Sequence, residues 1–393
     1  MPKHSQILSA FCDVFVREWH RILSRPIYFY ALVFAPIFSL VFFTSLMNEG
    51  LPHDLPVGIV DMDKSSVSRQ IGRTLDAFDQ TRIVAHYPNF SEARKDVQKG
   101  KIYGFFYIPP SFSKDANAFR QPKVSFYVQY TYLITGSLLM KDMKTTSALI
   151  GASSGLSQLR AKGYTDAQAM FFLQPIVNDV HPTNNPSLNY GIYLNNTLVP
   201  GILLLIIFLM TTYAIGSEIK ENTSQEWMKR SKDSILLALT AKLLPYTLIF
   251  SFIGIIVDTV FYLILGYPCH CGILPMLAAT LFSIVAAQGF GILVFAIFPS
   301  LRMSMSIASL WGVLSISISG FTFPYLGFYP FVQSLSYLFP LRHYYLIYVT
   351  QALDDFSMVY AWKSYLFLFL FALAPFLLLK RLRKNLVHPI YLP

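Results

Sequence analysis

Six stretches of the chain are almost free of charged residues: 27–47, 194–215, 244–265, 273–297, 303–322 and 362–379. Each approaches the roughly 20 apolar residues that a helix needs to cross a bilayer, so each predicts a membrane-spanning helix. Residues 5–23 show a different pattern. Ile7, Phe11, Val14, Phe15 and Ile22 recur at helical spacing, with Arg17 and Arg21 elsewhere on the wheel. This predicts an amphipathic helix, and its direct continuity with the first span favours the membrane surface over a short soluble helix. Residues 1–26 are therefore read as a cytoplasmic interfacial segment.

Between the first two spans, over 48–190, short apolar runs alternate with polar-faced stretches. Residues 57–60, 82–87, 102–108, 124–130 and 176–180 predict strands. One helix is expected from a cap at Ser65 or Ser66 to near Phe78, and another from Ser91 to Gly100. Residues 133–173 predict mostly helix, interrupted at the GASSG of 151–155, as a stalk or a helical hairpin. The fold class expected is a polytopic α-helical membrane protein with six transmembrane helices and an inserted extracytoplasmic α/β domain. Residues 194–393 hold the other five spans, with a cytoplasmic loop at 216–243.

The stretch 321–355 is apolar but broken by Pro324, Pro330 and Pro340. Proline breaks a helix and leaves carbonyls without donors, and such backbone lies at membrane depth only when buried in protein or lining a cavity. Two short re-entrant helices dipping in from the outer face before the last span are expected, against an aromatic interfacial loop.

Composition agrees with a membrane protein. Charged residues make up 13% of the 393-residue chain and hydrophobic residues 54%, whereas a soluble domain carries about 25% charged residues. The formal net charge of +10 is spread along the chain, which argues against a nucleic-acid partner. Basic residues flank the spans at Lys3, Arg17, Arg21 and Arg25, at Lys220, Lys229, Arg230, Lys232 and Lys242, at Arg302, and at Lys380, Arg381, Arg383 and Lys384. With six spans these regions share one side, which the positive-inside rule makes cytoplasmic, with both termini. The long 48–190 segment translocates largely regardless of its charge. The first span reads as retained, because a cleaved signal peptide has a shorter core and small residues at its cleavage site. Cys12, Cys269 and Cys271 imply no disulfide framework.

Candidate chemistry is sparse. No phosphate-loop pattern occurs, so this chain alone does not hold ATP in the usual way. The SSGLSQ of 153–158, superficially an ATPase signature, reads as a helix break. Asp61-x-Asp63 after an apolar run raises the possibility of a phosphatase nucleophile, but the accompanying Lys and acidic residues form no recognisable arrangement, so strand termination and help in capping the helix at Ser65 and Ser66 is preferred. Cys-His-Cys at 269–271 is poor geometry for a tetrahedral metal site and reads as a tight external turn. In 216–243, Glu218, Glu221 and Glu226 lie among Lys220, Lys229 and Arg230. This is either a solvated surface helix or a docking element for a cytoplasmic partner. Asn222 suits a left-handed turn and Thr223 with Glu226 a capping box. Asp258 lies within a span; it either faces protein or water as a functional group or sits near the outer end of its helix. Gln288 is a cheaper polar group that serves as a candidate or as helix–helix glue.

Together these features resemble the membrane subunit of a type-2 ABC exporter, of the multidrug or YhgE-Pip-like kind with a large extracytoplasmic domain. The resemblance rests on REWHRILSRPIYFYALVFAPIFSLVFF, LPVGIVDMDKSSVSRQI, GKIYGFFYIPPSFSKD, SEIKENTSQE, AKLLPY and GFTFPYLGFYPFVQSLSYLFPLRHYY, in the family's order. Asn222 stands where the family favours Gly, and QALDD lacks the usual Gly. The resemblance implies a permease in the bacterial inner membrane, itself no enzyme and without cofactor, that moves a drug, lipid or bile-acid-like amphiphile outward. A separate ABC ATPase chain would bind the ATP and Mg. A second permease, identical or paralogous, would complete the dimer among membrane lipids, with room for a periplasmic adaptor. Glu218, Glu221, Asn222, Thr223 and Glu226 would couple to the ATPase, and Asp258, Gln288, Phe321, Phe323 and Pro324 would line the substrate pathway. The alternative is an envelope receptor or scaffold acting through its external domain without pumping.

Overall fold

In a computed structural model of the protein, residues 3–118, 120–177 and 179–388 are described. Parts of three sequence-derived segments, at 1–2, 178 and 389–393, lie outside them. The chain forms two compact units, Met1–Gly50 with Pro182–Pro393, and Leu51–His181.

The first unit is a helical bundle. Among the described residues, six helices are long and apolar enough to cross a membrane: Pro26–Leu46, Tyr190–Lys220, Ile235–Ile264, Ile273–Ile297, Leu301–Ile318 and Trp362–Val387. The chain is thus a polytopic helical membrane protein with an inserted domain. The second and fourth spans are the most enclosed by protein, and small residues let neighbours approach them closely. A Cβ on Gly289 of the fourth span would lie 2.3 Å from the carbonyl oxygen of Phe371 in the sixth.

Two spans run beyond their expected limits. Helix continues to Lys220 and resumes at Ile235, so the expected 216–243 loop shrinks to 221–234 around a short helix, Ser224–Arg230. Polar residues here extend helices because partners in the bundle satisfy them. After the fifth span the chain makes a turn at Tyr325–Gly327 and two short helices, Pro330–Ser336 and Pro340–Ile347. Each helix begins with its proline, where the missing N–H costs nothing.

The second unit is α/β. Strands β1 (Leu55–Asp61), β2 (Thr81–Tyr87), β3 (Gly104–Ile108) and β4 (Ser125–Val128) form a sheet in the order β2-β1-β3-β4. The first three are mutually parallel and β4 is antiparallel to β3. β1 is central, which explains its unbroken apolar run: a parallel strand buries both faces. Val57 and Ile59 pack with Ile71, Leu75, Leu139 and Met143 on one face, while Val60 packs with Ala93, Ile102 and Phe105 on the other.

Three expectations here are corrected. Residues 176–180 form no strand where described; Ile176, Val177 and Val180 are each over three-quarters exposed and find no sheet edge. The GASSG of 151–155 does not interrupt its helix, which runs from Leu133 to Ala161, so SSGLSQ is not a break either. Gly155 instead admits Leu173 of the following helix, Asp166–Leu173, and the actual break is at Gly163, at φ +87°. Asn89, not Ser91, caps the helix Phe90–Gln98, by accepting from the Glu92 amide.

Candidate functional site

The N-terminal helix, Lys3–Ser24, does not hold all of its charges on its outer side. Ala10, Val14, Glu18, Arg21 and Ile22 are all buried, whereas Leu8, Val16, Trp19 and Leu23 are exposed. Arg21 thus lies on the packed stripe, contrary to the expectation from the wheel. The reason is the lower end of the second span, which presents two carboxylates to it.

Glu218 is the centre of this cluster and has no exposed surface. Its Oε1 accepts from Arg21 Nη1 at 2.5 Å and from Lys242 Nζ at 2.8 Å. Its Oε2 accepts from Arg17 Nη2 at 2.9 Å and from the hydroxyl of Thr223. Arg21 also donates to Ser217 Oγ at 3.1 Å and to Glu221 at 2.8 Å. Arg25 grips both oxygens of Glu221, at 2.5 and 3.0 Å. Lys242, on the third span, reaches back to Glu18 at 2.5 Å, and Tyr246 donates to the other oxygen of Glu18 at 2.7 Å. The Lys242 ammonium lies 5.1 Å from the ring centre of Trp227, on the short helix Ser224–Arg230.

Four cations and three carboxylates therefore join the N-terminal helix, the second span and the third. Burying charges is expensive, and removing one partner of such a pair typically costs about 3–5 kcal/mol, because the other is left uncompensated. The network resists any relative sliding of these elements. Outside the spans, hydrogen bonds from Arg25 and the nearby charge of Arg21 hold the Glu221 carboxyl below its ordinary value, against an opposing effect of burial.

The sequence-derived docking residues divide. Glu218 cannot lie on a docking surface, since it is wholly enclosed by its own chain. Glu221 is partly exposed but committed to two arginines. Glu226 is exposed and pairs with Arg230 one turn on. Asn222 adopts the left-handed conformation, φ +57°, ending the second span's helix. Thr223 and Glu226 do not form a capping box: Thr223 makes no cap hydrogen bond to the next helix and its hydroxyl is drawn to Glu218 instead. The short helix is clasped on its other side, with Gln225 Nε2 donating to the Val387 carbonyl at 3.1 Å. Sequence reading missed Glu18 and Lys242 as partners. Their signal was present: Glu18, Arg21 and Arg25 follow one helical stripe, and Lys242 interrupts an apolar run.

The substrate-pathway candidates are not brought to one place. Asp258 is fully buried and accepts from Thr280 Oγ1 at 2.8 Å, leaving its other oxygen without a partner. Gln288 accepts from Thr247 at 2.8 Å and lines a separate apolar groove of about 260 Å³ with Leu243, Ile292 and Phe376. Phe321 is buried against Tyr193 and Tyr345, while Phe323 and Pro324 are exposed. In the turn after the third span, the Cys269 and Cys271 thiols both face the Gly272 carbonyl.

In the α/β unit, Asp61 Oδ1 accepts from the amides of Asp63 and Lys64, and Oδ2 from the Ser68 hydroxyl. Asp63 accepts from the Ser113 amide, and Ser65 caps the helix Ser66–Asp76. The Asp61 carboxylate thus closes the turn that ends β1, and that of Asp63 ties this turn to the start of the helix Phe112–Asn117.

Residues 26–379, most of the chain, match the family model described as ABC-2 family transporter protein. Among curated proteins, none matches.

Proposed function

We propose, from the premise that this chain belongs to the ABC-2 family of transporter proteins, that it is the membrane permease of an ATP-driven exporter. A separate ABC ATPase supplies the energy, and the cargo is a hydrophobic or amphiphilic molecule moved outward across the bacterial cytoplasmic membrane. The permease pairs with a second copy or a related chain, and its α/β unit lies outside, as in the multidrug-type subfamily.

The observation that carries this reading is the buried charge network. An ATPase working at this end needs a rigid handle on the spans. The helix Ser224–Arg230 is short and bracketed by Asn222 and Ser231, with Trp227 and Met228 buried and Gln225, Glu226, Lys229 and Arg230 exposed. Its exposed face is the docking surface. Force applied there passes through Trp227 to Lys242, and through Thr223 to Glu218, so the second and third spans and the N-terminal helix move together. The exposed apolar stripe of that N-terminal helix is covered by lipid at the interface.

Glu226→Arg tests the assignment without touching the network, because among the described residues Glu226 pairs with exposed Arg230. The variant is expected to insert normally and to lose about tenfold in export, with permease-stimulated ATP hydrolysis uncoupled, as expected for reversing a charge at a complementary interface. Export at the wild-type rate in vesicles containing the ATPase refutes the docking role.

A further inference from the structure

The helix Pro340–Ile347 buries a cation that no carboxylate among the described residues pairs with. Arg342 is 3% exposed. None of the ion pairs among the described residues includes it, and its Nε and Nη1 have no hydrogen-bond partner. An enclosed guanidinium without an anion is costly to keep, and an ionisable group held among membrane helices is by default a functional one.

Its surroundings suggest what it awaits. The Tyr325 ring covers the guanidinium at 4.0 Å and Tyr337 flanks it at 5.4 Å. The two tyrosine hydroxyls meet at 3.4 Å, closing an aromatic clamp. Tyr325 belongs to the turn Tyr325–Gly327, which buries no side chain; besides the clamp, its ring meets Phe328 edge-on, so moving it opens no buried core. On the side of Gly320, φ +109°, an added Cβ would already touch Nη1 and the Tyr345 ring at 3.8 Å, so a head group reaches the guanidinium only if its cover moves. In the stretch that carries Tyr325, Phe323, Leu326, Tyr329 and Phe331 are exposed, and Phe323 stacks on Phe328, which meets the Tyr325 ring: an apolar rim in the segment that covers a buried positive charge.

We propose that Arg342 binds the anionic head of a membrane amphiphile, with Tyr325 as a displaceable lid and the apolar rim receiving the tail. Carboxylate, sulfonate and phosphate heads share the required chemistry: each offers charged acceptors to a guanidinium. The apolar rim favours an amphiphile over a free anion.

The test uses the purified full-length chain in nanodiscs of neutral phosphatidylcholine, titrated with oleate, oleyl alcohol and inorganic phosphate. Wild type is expected to bind oleate about tenfold more tightly than oleyl alcohol, the lower range for hydrogen bonds to a charged group, and not to respond to phosphate. Arg342→Gln should bind the two equally, and Arg342→Lys should keep part of the preference. Tyr325→Ala retains the cation, so it should keep the preference and bind oleate faster. Equal binding of oleate and oleyl alcohol by wild type, or a preference surviving in Arg342→Gln, overturns the proposal. If Arg342→Gln does not fold, the wild-type ratio and Tyr325→Ala still decide: an unchanged association rate in the latter refutes the lid. Competition by phosphate alone refutes the amphiphile as source. Displacement of oleate by added phosphatidylglycerol supports a lipid head as the occupant, and its absence supports a transported amphiphile. No ATPase is needed, so failure here leaves the transport reading standing, and failure of coupling leaves this site standing.

Discussion

Glu221 shows how one side chain links the charge network to solvent. It is the network's partly exposed carboxylate, held by Arg25 through two hydrogen bonds and by Arg21 through one. Those contacts lower its pKa from the ordinary value of 4.5. A carboxyl with a depressed folded-state pKa stabilises the fold above its unfolded value, and that contribution is lost as pH falls through the folded value. The sensitive window therefore lies below pH 4.5, and the network should be unaffected near neutrality. The melting temperature of the purified chain in detergent is expected to fall on acidification through that window. Glu221→Gln removes the titrating group, so its melting curve should be lower at neutral pH and flatter with pH. A variant with the wild-type acid profile shows that other groups are responsible. The same reasoning explains why Glu218 is not a docking residue: enclosure by three cations makes it an internal anchor, whatever its place in an acidic motif.

At the level of elements, the turn at Asn222 ends the second span and sets the direction in which the helix Ser224–Arg230 leaves it. The Thr223 amide bonds back to the Glu218 carbonyl at 2.9 Å and the Asn222 amide to that of Ile219, a helix ending that needs a left-handed residue. Glycine adopts that conformation freely and asparagine tolerates it, but a β-branched residue does not. Asn222→Gly is expected to retain stability and transport, whereas Asn222→Val should lose about 1–2 kcal/mol, the cost of a left-handed conformation, read from denaturation midpoints. Equal midpoints for the two variants show that the turn carries no strain. This turn was legible in the sequence because it depends on one residue's own backbone preference. So were the six spans, β1 to β4 and the proline-started short helices, all set by local pattern. The charge network left a signal in the stripe of Glu18, Arg21 and Arg25 and in Lys242, but its pairings were not legible. Its partners lie about 200 positions apart, as Arg21 and Glu218 do, and charges beside a span read as surface until packing encloses them. The unbroken helix through 151–155 escaped for a similar reason: glycines and serines read as a break, yet Gly155 is there to admit Leu173.

For the whole molecule, the placement of its charges predicts which end faces the cytoplasm. The bundle gathers its cations at one end. Arg17, Arg21 and Arg25 meet the foot of the second span there, Gln225 meets Val387, and Arg381 reaches the Ile297 carbonyl at the foot of the fourth. Residues 50 and 182, where the chain leaves and rejoins the bundle, belong to the opposite end, past Leu46 and before Tyr190. Lys and Arg beside short loops stay on the cytoplasmic side during insertion, whereas a long segment crosses whatever its charge. The α/β unit should therefore lie outside the cell membrane. A chain with Cys12, Cys269 and Cys271 replaced by alanine provides the background for a direct measurement. Into it, Ser153→Cys places a thiol on an exposed position of the α/β unit and Glu226→Cys one on the exposed face of the helix Ser224–Arg230. A maleimide that passes the outer membrane but not the inner one is expected to label the first in intact cells, and the second only after the inner membrane is opened. The reverse pattern inverts the topology. It would put the proposed docking helix Ser224–Arg230 beyond the reach of a cytoplasmic ATPase and remove the basis for the proposed outward transport.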